Sequence, residues 1–72
     1  MVNVDKLRRK IVEQRVSMRE LAHELRLDRS TLYRRFSENG CPFTIAEADI
    51  IARKLNLSAQ EASAIFFAQF VA

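Results

Sequence analysis

The chain has one glycine, one proline, one cysteine, one histidine and no tryptophan among its 72 residues. A lone thiol, Cys41, rules out an internal disulfide framework and fits a reducing compartment. The single glycine and single proline both fall in Asn39-Gly40-Cys41-Pro42, so the stretch from Ser37 to Pro42 is the one real loop expected. No apolar run is long enough to span a bilayer, and the opening MVNVDKLRRK lacks the apolar stretch of a signal peptide. The expected location is the cytoplasm, with no membrane partner. His23 has no second histidine with which to hold a metal, and neither it nor Cys41 has the neighbours of an activated nucleophile. No cofactor and no enzymatic activity are expected.

What is present is apolar and basic. Hydrophobic residues make up 49% of the chain, enough for one small domain over 1–72 with a modest core. Association with a second copy or another protein would supplement such a core. The net charge of +3 conceals an asymmetry. Residues 1–35 hold ten basic against five acidic side chains, whereas 36–72 hold two against four. A basic half of this kind is the electrostatic footprint of a nucleic-acid binder, although for the first helix alone a solvated charged surface is the simpler reading.

Local signals place five helices and no strand. Asn3 caps a first helix to about Gln14, with Val4, Leu7 and Ile11 as its inner stripe and Val12 at the margin. Ser17-Met18-Arg19-Glu20, Thr44-Ile45-Ala46-Glu47 and Ser58-Ala59-Gln60-Glu61 each read S/T-x-x-E, a capping box that marks a helix start. Each box follows an apolar residue placed to staple onto the fourth helical position: Val16 with Leu21, Phe43 with Ala48, Leu57 with Ala62. The helix from about Ile45 to Leu55 turns Ala48, Ile51, Ala52 and Leu55 inward. These joints imply an all-α fold, a compact orthogonal bundle of five helices.

The stretch from Val16 to Phe36 carries the functional signal. Leu21, Ala22 and Leu25 share one helical face, and Leu32 and Phe36 share another. Between them Arg26-Leu27-Asp28 forms a three-residue joint, with Leu27 to plug the angle and Asp28 to cap the following helix. Residues from about 17 to 37 therefore read as a helix-turn-helix. Its second helix has an outer side that burial does not explain: Arg29, Ser30, Tyr33 and Arg34, donors suited to base edges and phosphates. Thr31 turns partly toward the preceding helix.

Met18 to Arg35 resembles the helix-turn-helix of the Cro and lambda-repressor-like family, with Ala22 at the close approach of the two helices and aliphatics at Leu21, Leu25, Leu27 and Leu32. Two positions depart from that pattern. Arg26 stands where the family often has glycine, which implies a left-handed backbone bearing a side chain. Arg35 stands where many members are aliphatic, and Phe36 beside it would supply the core contact. The resemblance implies a lambda-repressor-like DNA-binding domain, with double-stranded operator DNA as partner. It also implies phosphate contacts from the start of the second helix and from beyond the third. Met18 replaces the usual glutamine, so Arg19, Ser37 and Asn39 are the candidates. Within the family, the size, the DRSTLYRRF helix and the stretches FTIAEADII and IFFAQFVA resemble Cro-like and modulator-of-repression proteins of temperate phages. That implies a part in the lytic or lysogenic decision, either at the operator or as an antirepressor bound to the phage repressor.

The last helix is too apolar for one buried stripe. Ala62, Ile65 and Phe66 can face inward together, leaving Phe67 and Val71 at the edge or beyond. The cluster Phe66, Phe67, Phe70 and Val71 is the candidate interface with a partner protein, either a second copy in a homodimer or the phage repressor.

Overall fold

The computed structural model describes residues 2–37 and 43–67. It contains five helices and, among the described residues, no strand: α1 (Val4–Glu13), α2 (Met18–Leu25), α3 (Arg29–Ser37), α4 (Ile45–Lys54) and α5 (Ala59–Phe66). The expected loop lies, beyond Ser37, outside the described residues.

Three of the four connections are built alike. After α1, Arg15 is left-handed and the Val16 N–H donates back to the Ile11 carbonyl at 3.1 Å. Arg26 then Leu27 does the same to Ala22 after α2, and Asn56 then Leu57 to Ala52 after α4, both at 2.9 Å. These are six-to-one closures that satisfy carbonyls at a helix end. The apolar residue of each joint is half-buried against the core, and the next residue, Ser17, Asp28 or Ser58, opens the following helix. Each joint thus consists of a left-handed residue, an apolar plug and a helix opener. Such short connections turn the chain sharply and hold successive helices at fixed angles. The left-handed backbone expected at Arg26 is present, at φ 56° and ψ 41°.

The expected caps are largely in place. Asn3 Oδ1 accepts from the Lys6 N–H at 3.1 Å, and complete capping boxes open α4 at Thr44 and Glu47 and α5 at Ser58 and Glu61. The box at α2 is half closed. Ser17 Oγ accepts from the Glu20 N–H at 3.0 Å, but the Glu20 carboxylate accepts from the Ser17 hydroxyl at 3.4 Å rather than from the Ser17 N–H, and its other oxygen stands 3.8 Å from the Lys54 ammonium of α4. Asp28 starts α3 through its carbonyl, which accepts from the Leu32 N–H at 3.0 Å. Its carboxylate makes no hydrogen bond among the described residues, and contributes as a negative charge at the positive end of the helix dipole.

All five helices supply the core. Leu7, Leu21, Leu32, Ile51, Leu55 and Ile65 are fully buried, and each contributes about 1.5–3 kcal/mol by leaving water. No buried side-chain nitrogen or oxygen among the described residues lacks a partner. α2 packs on α3 and α4, while α1 packs on α5. The last two run antiparallel, pinned by the Asn3 N–H donating to the Ile65 carbonyl at 2.7 Å and by the Lys10–Glu61 ion pair. The radius of gyration, 11.2 Å, matches a close-packed chain of this length.

One placement differs from the periodicity reading: Val12 is not at the margin of the α1 stripe but 76% exposed, while Val4, Leu7 and Ile11 meet the core. Phe66 is inward with Ile65, as the periodicity has it, and at 8% exposed it belongs to the core cluster rather than to the candidate partner interface, of which Phe70 and Val71 lie outside the described residues. No helix among the described residues is long and apolar enough to cross a membrane.

Candidate nucleic-acid interface

α3 is held from one side only. Leu32 and Phe36 are its buried residues, Thr31 and Arg35 flank them half-buried, and the rest is exposed. At 100° per residue Ser30, Tyr33, Arg34 and Ser37 fall within a sector of roughly 100°, with Arg29 at the first helical position beside them. The structure thus brings together Arg29, Ser30, Tyr33 and Arg34 on one exposed face, with Tyr33 51% exposed at its centre.

What anchors the opposite side was not visible in the sequence. The Phe36 ring meets Phe43 edge-on, centroids 5.9 Å apart at 72°. The Arg8 guanidinium of α1 lies 5.2 Å from the centroid of Phe36, and that of Arg35 lies 5.7 Å from the centroid of Phe43. Arg35 also forms an ion pair with Glu47. Cation–π and edge-to-face contacts of this type add roughly 0.5–1.5 kcal/mol apiece to area burial. Glu47 has two tasks, accepting from the Thr44 N–H at 2.9 Å to close the α4 capping box and binding Arg35 of α3. Burial works to raise its pKa, but the Thr44 N–H and the Arg35 guanidinium outweigh it and hold the carboxyl below its usual range. Arg35 therefore ties the end of α3 to the start of α4.

The candidate phosphate contacts fare unequally. Arg19 is exposed on α2, beside the cleft that His23 and Lys54 also line. The Ser37 hydroxyl donates to the Arg34 carbonyl at 2.9 Å, which uses its proton within α3 and leaves only an acceptor, the wrong polarity for a phosphate. Asn39 lies outside the described residues. His23 is exposed, and no group of histidine, cysteine and carboxylate side chains among the described residues could hold a metal ion.

Ion pairing sharpens the charge asymmetry. Glu20 and Glu24 face Lys54 at 3.8 and 3.7 Å, Asp49 faces Arg53 at 3.2 Å, Glu13 and Glu61 face Lys10, and Glu47 faces Arg35. Six of the eight described side-chain carboxylates are thereby spent on a neighbour, all but Asp5 and Asp28. Arg15, Arg19, Arg26 and Arg29 are exposed and form no ion pair among the described residues. The cations left to solvent on α2, on the joint and at the start of α3 are arginines, whose planar donors suit phosphate and guanine.

No protein-family model, curated protein or solved structure matches the chain.

Proposed function

We propose that the chain is a small transcriptional regulator that binds operator DNA by laying α3 in the major groove. One observation carries this reading: Arg29, Ser30, Tyr33 and Arg34 form an exposed donor-rich face on a helix whose other side is anchored by Phe36, Phe43 and Arg35. That face lies away from the buried Leu32 and Phe36, and a bidentate arginine contact to guanine discriminates by roughly 1–3 kcal/mol. The three-residue joint ahead of it supports reading α2 and α3 as a helix-turn-helix. The resemblance to Cro-like and modulator-of-repression proteins supports a place in a phage lytic or lysogenic switch, in the cytoplasm of the host and without catalysis.

A second reading, an antirepressor that binds the phage repressor, is favoured by Phe67, which is 46% exposed at the end of α5. A gel-shift against the upstream region of its own gene, with and without the neighbouring repressor, separates the two. A salt-sensitive shift by the protein alone supports operator binding, since phosphate neutralisation releases counterions. No shift by the protein alone, together with release of the repressor from its operator, transfers the function to the second reading.

A further inference from the structure

A groove of about 240 Å³ runs between α1 and α5, lined by Lys6, Arg9, Lys10, Glu13, Glu61, Ala64 and Ile65. Its charges are not balanced. Lys10 is bound by Glu61 and stands 3.4 Å from Glu13, so the two carboxylates of the groove are spent on one ammonium. Lys6 and Arg9, one turn apart on the α1 wall, are exposed and form no ion pair among the described residues. On the α5 wall Ala64 and Ile65 are apolar beside Glu61. Just beyond the groove, Phe67 closes α5, its N–H donating to the Ser63 carbonyl at 2.9 Å and its side chain 46% exposed.

We propose that this groove docks an acidic amphipathic helix of a partner protein, its apolar residues on Ala64 and Phe67 and its carboxylates on Lys6 and Arg9. An amphipathic helix presents these two chemistries side by side at i, i+3 and i+4 spacing, which is how helices seat in grooves. A nucleic acid would use the cations but leave Ala64 and Phe67 without a partner. The proposal does not rest on operator binding. Arg8, on the other flank of α1, lies against Phe36 of α3, while Lys6, Arg9 and Lys10 face α5, so the groove and the outer face of α3 are separate surfaces. It does give the exposed Phe67 a partner of defined charge.

The test is an amide-shift titration of the full chain with a short capped helical peptide of leucines at i, i+3, i+4 and i+7 flanked by glutamates. The same peptide with lysines in place of glutamates is the control. The expected result is saturable shifts confined to α1 from Lys6 to Glu13 and to α5 from Gln60 to Phe67, with none from the lysine peptide. Lys6→Glu with Arg9→Glu should weaken binding about tenfold or more, as two rim attractions become repulsions. Phe67→Ala should weaken it severalfold, and all these positions are exposed, so helical circular dichroism should be unchanged. Absence of saturable shifts, shifts centred on α3, or unchanged affinity in the charge-reversed variant would each overturn the proposal. So would groove shifts that grow with protein concentration alone, because the occupant would then be a second copy of this chain.

Discussion

α3 and α5 are short helices of similar length packed into one bundle, yet their leftover surfaces are opposites. α3 buries two residues, Leu32 and Phe36, and presents arginine, serine and tyrosine outward. α5 also buries two, Ile65 and Phe66, but its capping groups and its one charge are used by the fold: Ser58 and Glu61 cap it, Glu61 holds Lys10, and the Ile65 carbonyl takes the Asn3 N–H, leaving only the neutral Gln60 and Ser63 as exposed polar side chains. What α5 has in excess is apolar, chiefly Phe67. A helix with polar groups to spare suits a polar ligand, and one with apolar surface to spare suits a protein. The two surfaces are therefore read as serving different partners.

The strongest way to break this comparison is to remove what anchors α3. Phe36 is 4% exposed, meets Phe43 edge-on and lies under Arg8, so Phe36→Ala should cost about 3–5 kcal/mol in urea unfolding. A loss of less than 1 kcal/mol would mean that α3 is held by the joint at Arg26 rather than by its aromatic anchor.

Next in size is the outer face of the same helix. Arg29→Ala with Arg34→Ala should leave circular dichroism unchanged and reduce operator affinity by roughly 1–3 kcal/mol for each guanine contact removed. Wild-type affinity in this variant would take α3 out of the account. Together with Phe36→Ala it separates the side of α3 that holds the fold from the side that serves the ligand.

The two helices also differ in how readable they were. Most of what is local in sequence was legible: the caps at Asn3, Thr44 and Ser58 and the inward Leu32 and Phe36, with the left-handed Arg26 implied by the resemblance. Such features depend on residues three to six apart, the range over which periodicity and capping operate. What joins distant elements was not. Arg35 with Glu47, Arg8 on Phe36 and Lys10 with Glu61 depend on which helices meet and at what angle, and no periodicity encodes that. The same limit covers Glu20, whose second carboxylate oxygen faces Lys54 of α4. Ser37 is a local miss, since a hydroxyl turned back on the Arg34 carbonyl leaves no mark in the periodicity. The repeated joint was only partly seen, because Arg15 takes a conformation usually signalled by glycine or asparagine.

That joint gives a smaller prediction, again comparing the entries to α3 and α5. A left-handed conformation costs an ordinary residue about 1–2 kcal/mol, offset in part by the extra freedom glycine has when unfolded. Arg26→Gly ahead of α3 should therefore stabilise the protein by roughly 0.5–1 kcal/mol in thermal unfolding. Asn56→Gly ahead of α5 should gain less, since asparagine already tolerates this region. Equal gains at both sites would show that arginine is no more strained at the left-handed position than asparagine.

The smallest effect expected is an acid loosening of α5 that spares the outer face of α3. Hydrogen bonds from the Lys10 ammonium and the Ser58 N–H draw the Glu61 carboxyl down to about 2, and the same contact with Glu61 raises Lys10 above its usual value. A depressed carboxyl stabilises the folded chain above its unfolded pKa of about 4.5 and loses that contribution as pH falls toward about 2. The Lys10 contribution has the opposite sign, complete below 10.5 and lost as pH rises beyond it. Between pH 4.5 and 2, the protection of α5 amides, their exchange taken relative to the intrinsic rate at each pH, should therefore fall in the wild type. Glu47 also has a lowered pKa, so the α4 start and its tie to Arg35 loosen in the same acid range, and Glu61→Gln isolates the α5 share. That variant should exchange faster than wild type at neutral pH and show a flatter acid dependence at α5 alone. If the wild-type acid dependence of α5 survives the substitution, the antiparallel seat of α5 on α1 rests on Ile65, Phe66 and the Asn3 N–H, and the ion pair only decorates it.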